Sequence, residues 1–190
     1  HGTETLLRKL LSTKPPAPYR CAASEVQRRL GHLIDPATVR RWAIAYLLLM
    51  VAAATFQAHY TLGLNASPSL PHRFFLIHMG ESPQRGQYVA FRWHGGGPYP
   101  AGVVFVKVIA GMAGDAITRE DRDYFVNGTF VGKAKTVSRQ GVPLEPGPTG
   151  ALPAGRYYVQ APHPDSLDSR YRLTGWISET QIIGRAYALF

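Results

Sequence analysis

Cysteine is almost missing from this chain: Cys21 stands alone among 190 residues, so no internal disulfide can form. There is no Cys-x-x-Cys pair and no His/Cys cluster at zinc spacing, which excludes a disulfide scaffold and a structural zinc site. Charge is also sparse, at 17% of residues, and acids are fewer than bases, 12 Asp+Glu against 21 Lys+Arg. What the chain has instead is apolar residues (45%) and turn formers, 19 Gly and 15 Pro. Plentiful aliphatics exclude a disordered chain, the lack of a Gly-X-Y period excludes collagen, and the balance suits short strands joined by turns.

The formal charge of +9 fits nucleic acid, an anionic membrane surface or a topological signal equally well until its distribution is considered. Residues 1–42 hold eight of the bases (Arg8, Lys9, Lys14, Arg20, Arg28, Arg29, Arg40, Arg41) and three acids (Glu4, Glu25, Asp35). Between Arg41 and Arg73 there is no Asp, Glu, Lys or Arg at all. The run from Trp42 to Phe56, extended to Tyr60, makes a helix of about 28 Å, close to the hydrocarbon thickness of a bilayer. Trp42, Tyr46 and Tyr60 sit near its ends, where amphipathic rings favour the interface. The rival is a buried globular helix, but a chain this short has little protein with which to cover one on all sides.

Forty residues precede the run, which argues for an anchor over a cleaved leader. The division expected is therefore a basic cytoplasmic arm (1–41), a transmembrane helix (42–60) and an exported domain (61–190), oriented by the positive flank. In a bacterium this is a single-pass inner-membrane protein with its larger part in the periplasm, and Cys21 lies in the reducing compartment. In the arm, candidate short helices at 4–11 and 24–33 are separated by Lys14-Pro15-Pro16-Ala17-Pro18. The arm's bases suit anionic headgroups or a partner, or serve only to fix topology. No nucleic acid is expected.

After Tyr60 short apolar runs alternate with Gly and Pro. Phe74–Ile77, Tyr88–Trp93, Val103–Ala110, Tyr124–Val126, Tyr157–Gln160 and Ile182–Leu189 read as strands. Asn127-Gly128 is a two-residue hairpin turn, and the Gly- and Pro-rich stretch 141–155 reads as a loop. The fold class expected is an all-β domain, a twisted or partly closed antiparallel sheet, preceded by one transmembrane helix.

Lys107 is the anomaly, placed on a strand whose two faces are both apolar. Burial favours the neutral amine, and a neutral lysine is a usable general base; the bland alternative is an edge lysine that snorkels to water. Ser67 and Ser69, separated by Pro68 and followed by Pro71, offer one hydroxyl as nucleophile and another as donor to an oxyanion, or are simply a juxtamembrane linker. A third element is Ser166-Leu167-Asp168-Ser169-Arg170-Tyr171.

In this order, Ser69-Leu70-Pro71 after an anchor, Val106-Lys107 followed by Gly114-Asp115, and the Ser-x-Asp-Ser-Arg-Tyr box resemble the type I signal peptidases. Asn65 ahead of the serines and His163-Pro164-Asp165 before the last box are similar to the conjugative-transfer TraF-type branch. The resemblance covers about residues 45–190 and implies a signal-peptidase-like antiparallel β fold with a Ser/Lys dyad. In it Ser69 is the nucleophile and Lys107 the general base. Ser67 lends an oxyanion-hole hydroxyl, Ser166 orients the lysine, and Asp168 with Arg170 forms a supporting ion pair. An acidic residue of the last box is implicated in that branch in joining the ends of a trimmed pilin; its match is Asp165, with His163 beside it. Two positions depart from the pattern: Val108 stands where many relatives have Arg, and Met112-Ala113 replaces Leu-Pro.

The activity expected is a membrane-anchored serine endopeptidase, without cofactor or metal, that trims a membrane-bound precursor. A conjugative prepilin, with cyclisation, is the first expectation; general removal of signal peptides is the alternative. An anchored, non-catalytic β module of a secretion assembly is the rival of another class.

Overall fold

The structure, a computed structural model, describes Gly31 and residues 35–190. The short helices expected at 4–11 and 24–33, Gly31 apart, lie outside the described residues, as do Cys21 and most of the basic arm.

Helix α1, Pro36–His59, starts where a cap can be made. The Asp35 carboxylate accepts hydrogen bonds from the Thr38 amide (3.1 Å) and hydroxyl (3.2 Å), and proline at the first helical position has no N–H to leave unpaired. The helix therefore begins six residues ahead of the apolar run, and it ends at His59, because Tyr60 already belongs to a strand. None of its side chains is buried, Trp42 being 72% exposed and Leu49 65%. By length and composition it can cross a membrane.

Residues 55–190 form a compact unit of eleven strands. They are β1 (Tyr60–Leu64), β2 (Phe74–Met79), β3 (Tyr88–Arg92), β4 (Val104–Gly111), β5 (Ala116–Glu120), β6 (Asp123–Val126), β7 (Thr129–Lys133), β8 (Gly150–Ala151), β9 (Arg156–Gln160), β10 (Ile177–Ser178) and β11 (Ile182–Ala188). Every pairing is antiparallel. The single sheet expected is in fact two, of seven strands (β1-β2-β11-β3-β4-β9-β10) and of four (β7-β6-β5-β8). The smaller sheet depends on β5, in which Ile117 is the one buried residue, and on β8, two residues within the supposed loop 141–155.

The larger sheet has a core on each face, which is why β3 and β4 read as unbroken apolar runs. Ala90 and Val106 point into a cluster with Leu70, Phe75 and Ile77, while Val89, Phe91 and Ile109 point the other way, into a cluster with Trp93, Val159 and Ile177. A third core of Ile117, Tyr124, Leu152, Tyr158 and Tyr171 underlies the smaller sheet. Asn127 (φ 49°) and Gly128 (φ 77°) take the left-handed conformations that a tight turn between β6 and β7 requires.

Candidate active site

The loop joining β1 to β2 carries the two serines. Its neck is closed by the Asn65 amide donating to the Arg73 carbonyl (2.8 Å), next to the Leu64–Phe74 pair of the ladder. Leu70, 5% exposed, plugs the loop into the core, and so Ser69, also 5% exposed, is set firmly beside it. The Ser69 and Ser67 hydroxyl oxygens are 2.9 Å apart. Ser67 also meets Asn65, its hydroxyl 3.0 Å and its amide 3.3 Å from Asn65 Oδ1.

Lys107 lies on the interior strand β4, opposite Val89 of β3. Only 5% exposed, it donates from Nζ to Ser166 Oγ at 2.9 Å. Loss of solvent around the ammonium lowers its pKa from 10.5 to about 8; the Asp168 carboxylate opposes the shift and the Arg170 guanidinium adds to it. Such an amine is a proton acceptor at mildly alkaline pH. Among the described residues its hydrogen bond goes to Ser166 and that of Ser69 goes to Ser67. All four nevertheless line one cavity of about 1320 Å3, together with Asn65, His163 and Asp165.

The segment after β9 holds Ser166 in place. Asp168 is fully buried and Arg170 nearly so, and the guanidinium grips the carboxylate in bidentate fashion, through Nε to Oδ1 and Nη2 to Oδ2, both 2.8 Å. The Ala161 amide donates to Asp168 (3.1 Å), and the remaining guanidinium protons reach the carbonyls of Lys133 (3.1 Å) and His163 (3.2 Å). Every charge removed from water here has its partners, which makes the turn rigid.

Sequence spacing gave no sign of several neighbours. Lys135 (2.5 Å) and Arg139 (2.7 Å) both bind the Asp165 carboxylate, and their hydrogen bonds hold it ionised below the usual range. The Asp165 amide donates to His163 Nδ1 at 3.2 Å. Arg139 stands on a turn bridged at Val137 and Pro143, 26 residues from Asp165 in sequence, and only the fold brings them together. Asp115 accepts from the Met112 amide (2.7 Å), Asn127 (2.7 Å) and Arg85 (2.5 Å), locking the exit of the lysine strand. Val108 packs against the Leu70 cluster, so no ion pair is made directly after the lysine.

The antiparallel β domain buries a lysine of lowered pKa and a serine on the walls of one cavity. A family model described as signal peptidase, peptidase S26, matches residues 37–190, and the chain belongs to that family of serine endopeptidases, which act on precursor proteins. Among solved structures, a signal peptidase I from Enterococcus faecalis is similar at 23% identity over 58% of this chain and 98% of that one, with a TM-score of 0.38. A comparison with curated proteins returns no match.

Proposed function

We propose that the chain is a membrane-anchored Ser/Lys endopeptidase that removes the leader of exported precursors after small residues. The observation that carries this reading is the buried Lys107, hydrogen-bonded to Ser166 and sharing a cavity with the buried Ser69. In this reading neutral Lys107 takes the Ser69 proton as Oγ attacks the scissile carbonyl, and returns it to the leaving amine. Ser67 and the Ser69 amide donate to the oxyanion, Ser166 orients the amine, and Asp168 with Arg170 supports that turn. Water then hydrolyses the acyl-enzyme ester and frees Ser69.

The family supports general precursor processing more directly than a specialised pilin substrate. The second reading, a prepilin trimmed and closed into a ring, draws on one observation: an ionised carboxylate, Asp165, faces the same cavity beside Ser166. There Asp165, with His163, would receive a substrate's N-terminal ammonium, and that amine, instead of water, would resolve the ester.

Both readings place the larger domain outside the cytoplasmic membrane of a bacterium. Ser69→Ala and Lys107→Ala in the full chain should each slow cleavage of a membrane-bound precursor at least about 100-fold. Persistent cleavage in both variants overturns the proposal. Intact-mass measurement of the product separates the two readings, since a ring is one water lighter than the trimmed linear chain.

A further inference from the structure

The hydrogen bonds around Ser67 run in one direction. The His72 carbonyl can only accept, so the atom of the Asn65 side chain that faces it at 3.2 Å is the donor Nδ2. The Ser67 backbone amide can only donate, so the atom facing it at 3.3 Å is the acceptor Oδ1. Two backbone groups thus fix the Asn65 amide independently of any hydroxyl. The Ser67 hydroxyl, 3.0 Å from the same Oδ1, has one proton and donates it there. With that proton committed, the 2.9 Å contact between the serines has Ser69 as donor and Ser67 as acceptor.

We infer that Asn65 is a positioning residue, which holds the Ser67 oxygen against Ser69 and ends a one-way hydrogen-bond chain from Ser69 through Ser67 to Asn65. This rests on the Ser/Lys reading above and extends it. Ser67 is exposed, and without Asn65 its hydroxyl has three staggered positions to choose from. Anchored by Asn65, the oxygen stays in place and only its proton must turn. When Ser69 gives its proton to Lys107 and an oxyanion develops, rotation about the Ser67 Cβ–Oγ bond moves the Ser67 proton from Asn65 to that oxyanion. No heavy atom is displaced, which is the condition for a preorganised donor.

The test uses the full chain in detergent micelles and a quenched fluorescent peptide with an Ala-x-Ala site. Ser67→Ala should lower kcat about 100-fold and Asn65→Ala about tenfold, with KM within about twofold, as expected for an interaction made in the transition state. In the Ser67→Ala background, Asn65→Ala should cost no more than about twofold further. A kcat within about twofold of wild type in Asn65→Ala overturns the inference. So does an undiminished tenfold loss in the double variant, because a loop merely loosened at His72 would still be felt there. A crystal structure of Asn65→Ala decides the point independently of turnover. Ser67 split between rotamers is expected, and a single rotamer still bonded to Ser69 overturns the inference. Turnover that survives Ser69→Ala and Lys107→Ala overturns instead the dyad reading on which the inference stands.

Discussion

Under the proposed dyad, Lys107 is the residue at which stability and activity pull in opposite directions. Its pKa falls from 10.5 unfolded to about 8 folded, so between those values the unfolded chain binds more protons than the folded one. Stability attributable to this group therefore rises as pH climbs from 8 to 10.5, and below 8 the cost of the buried ammonium is felt in full. At about 1.4 kcal/mol per pH unit the cost approaches about 3 kcal/mol at neutral pH. Lys107→Met should thus raise the denaturation midpoint at pH 7, with the gain shrinking to nothing above pH 10.5, while abolishing cleavage. In the wild-type chain kcat/KM should rise with pH and level off above an inflection near 8. Arg170 bears on the same titration, since its charge helps to hold the lysine pKa down. Arg170→Met leaves the fully buried Asp168 carboxylate unpaired and should destabilise the chain by about 3–5 kcal/mol in urea denaturation. Its pH profile, read at a temperature where the variant is folded, should move its inflection upward.

At the scale of elements, two glycines show how close the packing behind the site is. A Cβ on Gly147 would lie 2.3 Å from the Ser169 carbonyl oxygen, and the Gly147 amide already donates to the Arg170 carbonyl at 2.8 Å. Gly147→Ala must push back the turn that carries Ser166, so it should lower both the denaturation midpoint and kcat. Gly184, at the bulge of β11, would set a Cβ 1.9 Å from the His78 carbonyl oxygen of β2. Gly184→Ala should cost about 3 kcal/mol by breaking the β2–β11 ladder, in which β11 is separated from the lysine strand β4 by β3 alone, and should lower the denaturation midpoint. The elements legible from sequence were those whose burial matches their composition: β3 and β4, apolar on both faces, β2, β9 and β11, and the β6–β7 hairpin with its Asn-Gly turn. β5 was hidden because four of its five residues are exposed or polar, and β1 because its glycine and exposed leucines continue the apolar run of the helix. In the site, Ser69 and Lys107 stood out by chemistry and box order. Lys135, Arg139 and Arg85 did not, because each meets its acidic partner across 26 to 30 residues of intervening chain.

For the whole molecule, the uneven charge with which the chain begins has a mechanical consequence. Under the proposed function the basic flank stays in the cytoplasm, and that orientation would put residues 60–190 on the side where exported precursors emerge. The scarcity of cysteine makes the orientation directly measurable, since Cys21 is the one cysteine among these 190 residues and precedes the helix. In spheroplasts, a membrane-impermeant maleimide should leave Cys21 unlabelled until the membrane is permeabilised. In a Cys21→Ser background, a new thiol at Phe130→Cys, a position 57% exposed on β7, should be labelled without permeabilisation. Replacing Arg28, Arg29, Arg40 and Arg41 by Gln removes half of the eight bases in the first 42 residues. Part of that population should then insert inverted, so that Cys21 is labelled from outside and precursor cleavage falls in proportion to the inverted fraction. If Cys21 of the wild-type chain is instead labelled in intact spheroplasts while Phe130→Cys is protected, the domain faces the cytoplasm. It would then be cut off from the periplasmic end of any exported precursor, and the proposed function would fail on geometry alone.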